Sequence, residues 1–163
     1  MIESASCITV LRGAGISAES GIPTFREKNG LWREYRSEDL ATPDAFARDT
    51  RLVWEWYEWR RRIIKDAKPN LGHYALVELE NRKSDFTLIT QNIDGLHQLS
   101  GIRNLIEMQG NLWQIRCIGY GQKSYSNMFK PNLSATSIYR TESVMGIPVF
   151  LSRTSFKKLF LGS

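Results

Sequence analysis

The chain has 163 residues, 42% of them hydrophobic, and a formal net charge of +5, enough for one globular domain with a sizeable core. No apolar run approaches the roughly 20 residues that cross a bilayer, so no membrane association is expected. The start, Met1-Ile-Glu-Ser4, lacks a basic n-region, and two cysteines, Cys7 and Cys117, do not make a disulfide framework; a cytoplasmic protein is the default expectation. The charge is unevenly placed. Residues 1–116 carry sixteen basic and sixteen acidic side chains, and the whole excess lies beyond them. A basic tail suits nucleic acid or an anionic surface, but this one carries no recognisable binding motif, so no specific nucleic-acid partner is expected.

In chain order, Cys7-Ile-Thr-Val-Leu11 reads as a buried strand over 7–12. A polar loop, Glu27 to Gly30, precedes Leu31-Trp-Arg33. Thr42-Pro43-Asp44 has the cap, first-turn proline and first-turn acid of a helix start, opening a short helix through Phe46. A longer helix is predicted over 51–65, with Leu52, Val53, Trp56, Tyr57, Trp59, Ile63 and Ile64 as its apolar positions. Asn70 caps a third helix striped by Ala75, Leu76 and Leu79. Asp85–Thr90 reads as a buried parallel strand, 95–100 as a short helix closed by Gly101, and 105–108 and 112–115 as further strands. Alternating strands and helices predict an α/β, Rossmann-like parallel sheet flanked by helices. After Lys123 that alternation stops and Ser and Thr become frequent. We therefore divide the chain into a partial nucleotide-binding domain, 1–123, and an irregular basic tail, 124–163. A shifted reading frame near codons 117–130 would produce such a change, and translating the other two frames tests it.

The most informative stretch is Gly13-Ala-Gly-Ile-Ser-Ala-Glu-Ser-Gly-Ile-Pro-Thr-Phe-Arg26. Gly13 and Gly15 carry no Cβ, which lets the backbone turn tightly and lets a ligand approach closely. A strand, a Gly-rich turn and a helix together suit a pyrophosphate. Thr90-Gln-Asn-Ile-Asp94 also follows a strand. Ligands of parallel sheets sit beyond the strands' carboxyl ends, so both segments are expected to line one crevice. The Asn92 amide can hold a ribose hydroxyl or an ordered water, and Asp94 can accept from a carboxamide. The competing reading of Asp94 is a cap on the next helix.

The fourteen residues resemble the sirtuin signature GAGxSxxSGIPxFR, and Thr90–His97 is similar to the family's TQNIDxLH segment. The resemblance implies NAD as cofactor and an acylated-lysine protein or peptide as substrate. Gly13, Ala14 and Gly15 would then face the phosphates, and Phe25 and Arg26 would lie over the cofactor. Gln91, Asn92 and Asp94 would shape the nicotinamide pocket. Glu19 would face a ribose hydroxyl, the solvent or a helix cap. Arg12 stands where the family commonly has a small hydroxyl residue, and either disturbs the phosphate loop or points outward. His73, in a PNxxH-like segment, and His97 are read as structural.

Val53-Trp-Glu-Trp-Tyr-Glu-Trp-Arg-Arg61 resembles the sirtuin subgroup that removes succinyl, malonyl or glutaryl groups. There a Tyr-x-x-Arg pair holds the acyl carboxylate. Tyr57 and Arg60, at i and i+3, share a helix face, and a guanidinium takes a carboxylate bidentately. The alternative is an aromatic core stripe backed by a solvated basic face, Arg60-Arg-Arg62.

Three departures from the family stand out. Leu105-Ile-Glu-Met-Gln-Gly-Asn-Leu112 matches a segment whose catalytic His is replaced here by Gln109. A neutral amide hydrogen-bonds but cannot take a proton as a near-neutral imidazole does. Cys117-Ile-Gly-Tyr120 has one cysteine where the family has a CxxC pair, so the structural zinc expected in the family is not expected here, nor is any other metal. The third departure is length: the resemblance covers roughly residues 7–123, so a truncated version of the family domain is expected. The sequence thus points to NAD-dependent removal of acyl groups from protein lysines, impaired at Gln109. The alternatives are a non-catalytic NAD or ADP-ribose binder or a degenerate gene product.

Overall fold

A computed structural model describes residues 4–23, 35–117, 123–125 and 139–141. Strand β1 (Cys7–Arg12) passes through Gly13 into the one-turn helix α1 (Gly15–Ala18). Four helices follow: α2 (Ser37–Leu40), α3 (Pro43–Arg48), α4 (Thr50–Ile64) and α5 (Leu71–Arg82). Strand β2 (Asp85–Thr90), helix α6 (Leu96–Ser100) and strands β3 (Leu105–Glu107), β4 (Gln114–Cys117), β5 (Lys123–Tyr125) and β6 (Tyr139–Thr141) complete the order.

Side-chain caps set the helix starts. Thr42 Oγ1 accepts the Ala45 N–H at 3.1 Å and Asp49 Oδ1 that of Leu52 at 2.9 Å, each satisfying a donor that the first turn leaves open. Asn70 and His73 form a reciprocal pair at the start of α5. Asn70 Oδ1 accepts from the Gly72 N–H at 2.9 Å, and His73 Nδ1 accepts from the Asn70 N–H at 3.3 Å. Left-handed glycines bracket α6, Gly95 at φ 80° and Gly101 at φ 103°.

The first three strands form a parallel sheet in the order β1-β2-β3. Cys7 stands opposite Asp85, Arg12 opposite Thr90, and Leu88 opposite Leu105. The central strand buries Phe86, Leu88 and Thr90. With Leu76 of α5 and Ile102, Phe86 and Leu88 form one core; Ile8, Val10 and Ile16 pack on its margin. A second core joins Val53, Trp54, Trp56, Tyr57 and Ile64 of α4 to Phe46 of α3, Leu96 of α6, and Leu112 and Ile115.

The predicted α/β class, a parallel sheet flanked by helices, holds, with three local corrections. Ala75 is exposed, so the inward stripe of α5 is carried by Leu76, with Leu79 packed at its margin. Residues 112–115 are not one strand. Asn111 Oδ1 accepts the Trp113 N–H at 2.9 Å, an Asx-type turn that postpones the strand. β4 therefore starts at Gln114 and joins a second, antiparallel sheet with β5 and β6. The third correction concerns Gly13 and Gly15. Neither has a positive φ, so the tight-turn reason for them falls away and only the room left by a missing Cβ remains. The boundary expected at residue 123 falls inside β5. The pieces 31–33, 147–151 and 157–161 lie outside the described residues.

Candidate functional site

The carboxyl ends of β1 and β2 lie side by side because the two strands are parallel and in register. Beyond Arg12 and Thr90 the ladder continues by one bond, from the Gln91 N–H to the Arg12 carbonyl at 2.9 Å. That brings Gly13–Gly15 and Gln91–Asp94 together, as their positions after strands predicted. A Cβ built on Gly13 would meet Gln91 Oε1 at 3.7 Å, and one on Gly15 would meet nothing within 4 Å. The backbone of this turn is thus open to a ligand on the side a side chain would occupy.

Beneath the turn, Ser17 joins the two segments. Its hydroxyl donates to Asp94 Oδ2 at 2.7 Å and accepts from Asn92 Nδ2 at 3.0 Å. All three side chains are buried. Asp94 Oδ1 accepts the Leu96 N–H at 2.9 Å, so the carboxylate holds both the α6 turn and Ser17. The N-cap of α6 is Gly95, with no side-chain cap bond, so Asp94 is not the cap itself; it braces the turn that enters the helix from one position earlier. Thr90 Oγ1 holds the Asn92 N–H at 3.0 Å. Ser17 escaped the sequence reading as a site residue, although it occupies a fixed position of the signature. Gln91 and Glu19 are exposed. Arg12 is exposed as well, so it points outward and leaves the β1 register undisturbed. Phe25 and Arg26 lie outside the described residues.

Helix α4 presents the other predicted group. Tyr57 is 1% exposed and Arg60 9%. The Arg60 guanidinium stands 4.9 Å from the Trp56 ring centroid. Burial lowers its pKa to about 10, against the pull of the Tyr57 hydroxyl and the Asp94 carboxylate. The solvated basic face is a misreading for two of its three arginines, since Arg61 is also buried and only Arg62 is exposed. The helix repeat explains why. Residues 53, 56, 57, 60, 61 and 64 fall on one inward stripe, and the arginines occupy two of its steps.

Gln109 is half-buried in the turn that follows β3. The turn is braced at many points. Met108 N–H donates to the Thr90 carbonyl at 2.9 Å, and Leu112 N–H to the Ile93 carbonyl at 2.9 Å. The Trp113 indole donates to the Asp94 carbonyl at 2.8 Å. Glu107 Oε1 accepts from Gln98 and Asn111 at 2.5 and 2.7 Å. The left-handed Gly110, φ 71°, closes the bend.

His73 and His97 are fully buried with ring centroids 4.8 Å apart. Burial lowers the pKa of both. That of His97 falls to about 4, with His73 and Arg12 adding to burial and Asp94 opposing them. Both rings are neutral at physiological pH, and His73 spends its Nδ1 on the α5 cap.

The Sir2 family model matches residues 13–151, reaching past the segment in which motifs were legible. An NAD-dependent protein deacylase of Leptospira interrogans is 60% identical over 117 residues, 72% of this chain and 48% of that protein. The crystal structure of a Sir2 homolog–NAD complex superposes with a TM-score of 0.74 at 42% identity, over 86% of this chain and 57% of that one. A structure of Sir2 bound to acetylated peptide gives 0.76 at 26% identity, over 96% and 66%. The chain spans about half the length of the curated relatives it matches.

Proposed function

The chain belongs to the Sir2 family, and from that premise we propose that it binds NAD over the Gly13–Gly15 turn and is built for removing acidic acyl groups from protein lysines, with turnover impaired at Gln109. The observation that carries this is the buried Ser17–Asn92–Asp94 cluster, which ties the phosphate-type turn after β1 to the amide-rich loop after β2. Such a preorganised polar floor suits a ligand with phosphates at one end and a carboxamide at the other. The open Cβ side of Gly15 fits a bulky cofactor there.

Bound NAD supplies the ribose to which an acyl group passes as nicotinamide leaves. The rest falls to the chain. Backbone amides at Gly13–Gly15 would face the phosphates, with Glu19 at the rim; Phe25 and Arg26, which lie outside the described residues, are assigned to the cofactor by the family resemblance alone. Asn92 holds a ribose hydroxyl while Ser17 and Asp94 keep its amide in place. Tyr57 and Arg60 take an acyl carboxylate, a succinyl or malonyl group in preference to acetyl. Gln109 stands where a base is needed and can only hydrogen-bond. Zinc does not fit. Cys7 lies on β1 of the parallel sheet and Cys117 on β4 of the other, and two such cysteines do not make a tetrahedral thiolate site.

A second reading, a binder of NAD or ADP-ribose without turnover, is favoured by one feature: the turn around Gln109 is fully braced although its side chain cannot act as a base. Thermal unfolding with NAD and with ADP-ribose tests the shared premise. Ligand at 100 times its Kd adds about 2.7 kcal/mol, so both ligands should raise the midpoint. A cooperative transition that neither ligand moves at millimolar concentration would sink both readings.

A further inference from the structure

We propose that Arg61 is a positioning residue that locks the Gln109 turn against helix α4, fixing the separation between the Tyr57–Arg60 face and the vacated base position. The proposal rests on the reading of those groups as one site. Arg61 is 5% exposed, and its Nε donates to the Leu112 carbonyl at 3.1 Å. The same residue's N–H donates to the Ile93 carbonyl at 2.9 Å. Leu112 is thus a junction, held to the Gln91–Asp94 loop by its amide and to α4 by its carbonyl. It lies three residues from Gln109, and the next residue, Trp113, is tied to Asp94.

Arg61 is poorly provided for otherwise. Its Nη1 and Nη2 are buried without hydrogen-bond partners among the described residues. Glu58 Oε2 lies 3.9 Å from Nη1, and the Trp54 ring centroid 5.4 Å from the guanidinium carbon. Burial accordingly lowers its pKa to about 10. A buried ion so incompletely matched adds little net stability, and an apolar side chain of similar volume commonly does as well or better. What an apolar side chain cannot supply is the charge-assisted bond to Leu112. A positional role therefore predicts a separation of effects that a stabilising role does not: the turn loosens while the fold stays.

Hydrogen exchange of the full chain tests this with Arg61→Met and Arg61→Lys. We expect amides of 108–114 to exchange at least tenfold faster in Arg61→Met, with α5 and β2 unchanged, the unfolding midpoint kept, and Arg61→Lys partly restoring protection. In the Gln109→His background, Arg61→Met should lower kcat at least tenfold and leave the KM for NAD within twofold. Unchanged exchange at 108–114, or uniform acceleration in both variants, overturns the proposal. If Arg61→Met does not fold, Arg61→Lys decides: full loss of protection at 108–114 with a folded α5 supports the lock, and wild-type protection together with a collapsed Arg61→Met assigns Arg61 to stability alone. Absence of turnover in Gln109→His itself counts against the site reading, not against the lock, which the exchange data judge separately.

Discussion

On the proposed reading, the side chain at position 109 decides what chemistry the site can perform. Gln109 sits in a turn held from both flanks, by Met108 to Thr90 and by Leu112 to Ile93. On the proposed reading, this held turn would orient a base if one stood at position 109. General-base catalysis is worth about 10²–10⁴-fold, so Gln109→His should raise NAD-dependent desuccinylation by a factor in that range. An equal rate in the two proteins would place the defect elsewhere. Arg60→Met should then lower activity on succinyl-lysine peptide at least tenfold relative to acetyl-lysine peptide; equal losses on both would remove the acyl-carboxylate role. The buried imidazoles govern pH dependence. The folded-state pKa of His97 is about 4, against about 6.5 in an unfolded chain. Between these values the unfolded state binds the extra proton, so stability falls as pH drops below 6.5 and levels off near 4. His73 acts in the same direction. Relative to a His97→Asn variant, the wild-type midpoint should fall progressively between pH 6.5 and 4.5; parallel pH curves would contradict this.

At the scale of elements, the caps hold more than their own helices. Asn70 opens α5 through its Oδ1, and its Nδ2 donates to the Ile16 carbonyl at 2.7 Å and to Ser20 Oγ at 2.9 Å. Helix α5 is thereby fastened to α1 and to the turn that follows α1. Asn70→Ala should cost about 1–2 kcal/mol in stability from the cap alone and should also weaken NAD binding, because α1 carries Ser17. Denaturant unfolding and ligand titration check the two effects together; a stability loss with unchanged affinity would confine Asn70 to α5. Gly95 marks a second element-level constraint. Its φ of 80° suits glycine, and a Cβ there would stand 3.0 Å from Trp113 Cδ1.

Over the whole molecule, the two cores hold different parts of the site. The sheet core fixes the β1 and β2 ends, and the α4 core fixes the buried arginines and Leu112. Strand β2 is central and buries alternate residues, whereas β1 keeps Leu11 59% exposed. Protection against hydrogen exchange follows burial and pairing, so β2 amides should be the slowest in the parallel sheet and β1 amides clearly faster. Equal protection in both strands would show that β1 is covered in solution.

The strands at 7–12 and 85–90, the caps at Thr42 and Asn70 and the juxtaposition of the two Gly- and amide-rich loops were legible in the sequence. Each is encoded locally, by period, by capping chemistry or by the rule that parallel strands end on one side. Gln109 was legible only as a residue identity; that it stands in a base position rests on the family resemblance. The roles of Ser17, Arg61 and Leu112 were not legible. A serine hydroxyl bonded to residues 75 and 77 positions away, and a guanidinium bonded to a carbonyl 51 positions away, leave no local pattern. The same holds for burial of Arg60 and Arg61, which composition marks as surface residues and the packing of α4 draws inside. Local chemistry sets where elements begin and end; only tertiary packing decides which polar groups lose water and must find one another.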